Sequence, residues 1–80
     1  MLTLNEELGR LRQADGHIAD AMCRIEQQKR LCESLPAGRD RARAEALLAI
    51  MKATLEQFSL HREAIREAIA RLREGSTEQS

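Results

Sequence analysis

Eighty residues make one small domain, and a chain this short buries too little surface to be robust without disulfides, metal, very good packing or a partner. Thirteen basic side chains balance thirteen acidic ones, and Phe58 is the sole member of the Phe, Trp and Tyr class. That balance excludes the basic stripe of a duplex-binding protein and a polybasic membrane anchor, so neither nucleic acid nor membrane is an expected partner. A composition rich in Ala, Leu, Glu, Arg and Gln, with no Val, points to long helices.

The first residues, Met1 to Glu7, carry no basic segment and no apolar run of the secretory kind. The longest apolar run, Ala46 to Met51, is far short of a bilayer. A cytoplasmic location is expected, with Cys23 and Cys32 reduced. Nine residues apart on one helix, they lie about 13–14 Å apart along its axis and on opposite sides, so they cannot bridge each other there. They also lack the CxxC spacing of a redox or zinc site.

Helix one is predicted over about residues 3–35. Thr3-Leu4-Asn5-Glu6 fits the capping box, with a hydroxyl at the cap and a carboxylate three residues on. Its apolar stripe is Leu4, Leu8, Leu11, Ile18, Met22, Ile25 and Cys32, widened by Ala14, Ala21 and Leu35 into a bundle-type face. Glu6 and Arg10 form an acid-before-base pair at i,i+4. Pro36 stops the helix because it disfavours the α conformation at Leu35 and has no N–H to donate. The turn is predicted over 36–40, with Gly38 and Asp40 completing it.

Helix two is predicted over about residues 41–74 and is apolar on two sides. One stripe runs Ala44, Leu48, Met51, Leu55, Phe58, Ile65, Ile69 and Leu72; a second, Ala46, Ile50, Ala53, Leu60 and Ala64, lies roughly opposite. A helix apolar on both sides needs neighbours on both sides. One neighbour is helix one, and the other is expected from a second copy. Residues 75–80 are expected to fray after Gly75. The fold class is therefore all-α: an antiparallel helical hairpin that forms a four-helix bundle as a homodimer.

Folding about the turn brings positions that sum to about 75 to one level. Leu11 then meets Ile65, Ile18 meets Phe58, Met22 meets Leu55 and Ile25 meets Met51. The polar interruptions Asp15 and Arg62 coincide as well and are expected to form a buried ion pair; the alternative is that both reach solvent.

Several segments resemble a known group. They are His17-Ile18-Ala19, Arg24-Ile25 followed by Gln27 and Gln28, the turn Gly38-Arg39-Asp40, the run Ala44-Glu45-Ala46-Leu47-Leu48-Ala49, and Leu55 with His61-Arg62. Over about residues 14–66 the chain resembles short helical-hairpin proteins of rhizobial-type α-proteobacteria. Their turn often reads Gly-His-Asp, where this chain has Arg39. The resemblance implies the hairpin and brings no activity with it.

His17 and His61 are the residues that invite a chemical hypothesis. They share a flank and lie within a turn of one level, so with Asp20 they are candidate ligands for a divalent ion. A competent site needs three or four ligands, and boundary histidines bonded to neighbours or water are the plainer reading. Gly16, Ala19 and Cys23 sit off the main stripe as small residues that suit close approach of another chain; a merely solvated face is the alternative. Cys32 reads as a core cysteine, since no basic partner is placed to make it a nucleophile. Arg39, Arg41 and Arg43 at the turn alternate with Asp40 and Glu45 and read as a solvated helix start.

No glycine-rich phosphate loop or catalytic constellation is present. The sequence supports a small non-enzymatic interaction or adaptor module without cofactor. A secretion-type chaperone covering an apolar client segment is the alternative, and a metal- or ligand-binding bundle a third reading.

Overall fold

The computed structural model describes residues 2–78, with side chains through residue 75. Two helices, α1 (Leu4–Ser34) and α2 (Arg39–Glu78), pack against each other as a hairpin. The pairs Gln28 with Ala44, His17 with Phe58 and Asp15 with Arg62 show the antiparallel sense and the expected register. The result is a rod of 64 × 15 × 14 Å.

The helix ends follow from local chemistry. Thr3 caps α1: its Oγ1 accepts from the Glu6 N–H at 3.2 Å, and Glu6 Oε1 accepts the Thr3 N–H at 3.3 Å. Because Glu6 is committed to the cap, Arg10 turns to Glu7 at 2.8 Å rather than to Glu6. Leu35 leaves the helix with extended φ −88° and ψ 138°, as Pro36 requires. Gly38 has φ +152°, a conformation that side chains rarely adopt, and its carbonyl accepts the Ala42 N–H at 3.0 Å. That bond starts α2 at Arg39, so Asp40 belongs to the first helical turn, where its charge suits the dipole. At the other end Gly75 takes no positive φ, and the backbone stays helical to Glu78 instead of stopping at 74. Gln79 and Ser80 lie outside the described residues.

Burial repeats every seven residues. In α1 the buried or half-buried series are Leu4, Leu11, Ile18, Ile25, Cys32 and Glu7, Ala14, Ala21, Gln28, Leu35. In α2 they are Arg41, Leu48, Leu55, Arg62, Ile69 and Ala44, Met51, Phe58, Ile65, Leu72. This alternation of three and four residues keeps one narrow seam between the helices. The expected α1 stripe is corrected at one place: Met22 is 57% exposed, and Ala21 beside it fills that layer.

The seam is thin. Ile65, 2% exposed, is the best covered hydrophobic residue, and with Ala14 and Ile69 it anchors a cluster that Leu4, Leu8 and Leu11 pack against. No described side chain falls below that level of exposure. Two helices give each residue neighbours on one side only, so a single hairpin cannot enclose its core.

Candidate functional site

Asp15 and Arg62 meet as expected: the guanidinium Nε donates to Asp15 Oδ1. The pair is not buried, which corrects the sequence reading. Asp15 keeps 51% and Arg62 32% of its side-chain surface, because no third layer covers the seam's edge. Arg62 also lies 3.6 Å from Glu63, and Glu63 bonds Arg66 at 3.2 Å. Its hydrogen bond to Asp15, and then the charge of Asp15, hold the Arg62 guanidinium above its ordinary pKa.

The seven-residue pattern gives the hairpin two unlike flanks. One carries Asp15, Met22 and Lys29 from α1 with Glu45, Lys52 and Arg66 from α2. The Asp15, Arg62, Glu63, Arg66 chain and the 3.0 Å Arg41–Glu45 pair lie there. The other flank carries His17, Arg24 and Leu31 from α1 with Leu47, Thr54 and His61 from α2. Its exposed residues include Leu31 and Leu47, which are level with each other across the seam, and Ile50 one turn further on.

A groove of about 270 Å³ runs along this second flank. Its walls include His17, Asp20 and Arg24 from α1 and Ile50, Met51 and Phe58 from α2. The His17 ring lies over Phe58 with centroids 6.0 Å apart and planes tilted by 44°. Thr54 closes the floor's edge, its hydroxyl donating back to the Ile50 carbonyl at 3.0 Å. His61 is exposed and does not line the groove. Among the described residues no three His, Cys, Asp or Glu side chains converge as metal ligands, so the structure does not bring His17, His61 and Asp20 together as a site.

The small residues Gly16, Ala19 and Cys23 are exposed on the outward side of α1. A Cβ added at Gly16 would meet nothing within 4 Å, so no neighbour within the hairpin requires that glycine. Ala46, Ile50, Ala53, Leu60 and Ala64 are likewise exposed on α2, with Ile50 at 63% and Leu60 at 60%. The two sets back onto opposite sides of the rod and form separate patches. Cys32 is buried in the seam, consistent with a core cysteine.

Two features escaped the sequence. Leu31 and Leu47 are exposed beside the groove because seam positions at Cys32 and Leu48 turn them outward. At the open end of the hairpin Glu7 is buried to 3% exposure, with Oε2 unpartnered among the described residues. It borders a cavity of about 480 Å³ shared with Leu2, Ala68, Arg71 and Leu72. Only the 3-and-4 phase could have placed a carboxylate there, and its polarity argues the other way.

The fold and this geometry define the class: an all-α helical hairpin with one ion-paired flank and one grooved flank that exposes Leu31, Leu47 and Ile50. Compared with known proteins, the chain matches no protein-family model, no curated protein and no solved structure. No helix among the described residues is long and apolar enough to cross a membrane.

Proposed function

We propose that the chain is a small non-enzymatic interaction module that self-associates, with two hairpins packing in coiled-coil fashion into a four-helix bundle. The observation that carries this reading is the exposure of Ile50 and Leu60, large apolar residues on a helix whose opposite face is already used by α1. Exposed bands of this kind mark contact surfaces. A groove open along the rod, rather than a closed apolar pocket with converging polar groups, suits docking better than catalysis. We place the module in the cytoplasm, where Cys23 stays a thiol, and propose shared descent with the rhizobial-type hairpins it resembles.

Replacing Ile50 and Leu60 together by Glu tests the proposal. The parent's melting temperature should rise with protein concentration, as linked folding and association require. The double variant loses that dependence. A parent whose melting is independent of concentration refutes self-association. The secretion-chaperone reading draws on the same apolar surface: a chaperone would be monomeric alone and gain stability only with its client.

A further inference from the structure

The two flanks differ enough to say which one a second copy covers. We infer that self-association, as proposed above, uses the grooved flank, with two hairpins face to face about a two-fold axis and Ile50 of each copy seated in the other's groove beside Met51 and Phe58. A two-fold contact must be self-complementary, so projecting residue and recess have to lie on one face. Here they do. Ile50 stands at the rim of the groove it would fill in its twin, and Leu31 and Leu47 extend the apolar strip toward the turn.

Charge and area favour the same arrangement. Asp20 and Arg24, one helical turn apart at the rim, offer opposite charges that a copy related by a two-fold axis can pair. Covering the other flank would instead desolvate the Asp15, Arg62, Glu63, Arg66 chain. A whole face of the rod, 64 by 15 Å, projects roughly 900 Å², so contact along its full length reaches the ~800 Å² that each partner of a stable interface contributes. The outward residue Leu60 falls outside this interface, which narrows the contact surface to the part of α2 beside the groove.

Sedimentation equilibrium of the full chain tests the assignment on five proteins: the parent, Leu47→Glu with Ile50→Glu, Leu60→Glu, Met22→Glu, and Thr54→Arg. All the substituted residues are exposed in the hairpin, so the seam is untouched. The Leu47/Ile50 variant should weaken dimerisation at least about 100-fold, from two apolar contacts each replaced by a charge. Leu60→Glu and Met22→Glu should stay near the parent value. Thr54→Arg, which blocks the groove from another exposed position, should dissociate the dimer as the Leu47/Ile50 change does. If the Leu47/Ile50 variant remains dimeric while Leu60→Glu or Met22→Glu dissociates, the flank is wrong and self-association stands. A parent that is monomeric at every concentration overturns both.

Discussion

Glu7 offers the sharpest test of the seam. The side chain is 3% exposed and sits in the layer between Leu4 and Leu11. Its Oε1 accepts from Arg10 Nη1 at 2.8 Å, while Oε2 is enclosed without a partner among the described residues. Leaving a buried acceptor unmade costs about 1–3 kcal/mol. Glu7→Leu removes that cost and adds apolar area against Leu72 and Ala68, for roughly 1–2 kcal/mol more. It also frees Arg10, whose side chain is 43% exposed, so the lost ion pair is of the surface kind and costs at most about 1 kcal/mol. The net expectation is stabilisation by about 1–5 kcal/mol. For a chain this small each kcal/mol raises the melting temperature by roughly 4–8 °C. Thermal denaturation followed by circular dichroism, at one protein concentration for all variants, reads the shift directly. Glu7→Gln, which keeps the shape and polarity, should move the melt less. If Glu7→Leu melts at or below the parent, the carboxylate has a partner and the seam layer depends on its charge.

Gly38→Ala should destabilise by about 1 kcal/mol or more although the space around it is open, because φ is +152° there; a chemical denaturation midpoint equal to the parent's would contradict this. A double-mutant cycle through Asp15→Ala and Arg62→Ala should give a small coupling that shrinks with added salt, as for an exposed pair. Arg62 has a raised pKa in the folded state, so its contribution is complete below the ordinary guanidinium range and disappears only as pH rises through the shifted value. The coupling should therefore not change on the alkaline side between about pH 7 and pH 9, and a loss across that interval would sink the assignment. Cys23, exposed, should react at once with a thiol reagent, and Cys32, buried, only on unfolding; equal rates would mean that the seam opens readily.

The sequence made the hairpin legible because its ends are written in local chemistry. Thr3 and Glu6 form the cap, Pro36 closes α1, and Gly38 takes the strained turn position. The register was legible too, since the turn fixes which residues share a level: His17 meets Phe58 and Asp15 meets Arg62. Two positions of the α1 stripe were not. Hydrophobicity favours Met22, which is exposed, and argues against Glu7, which is buried in the seam. Polar residues in the seam hide the seven-residue repeat from any pattern built on apolarity. Gln28, for example, earns its place by donating to the Ala44 carbonyl across the helices at 2.9 Å. The exposure of the Asp15–Arg62 pair was hidden for another reason. Burial depends on how many layers cover a position, and residue spacing within two helices does not contain that.

Light scattering on the untagged full chain, over a wide concentration range, separates a self-associating hairpin from a monomeric one. Self-association should give a molar mass approaching twice the 9.0 kDa of one chain as concentration rises. A mass of 9.0 kDa at every concentration, from a protein that remains fully helical, would contradict it.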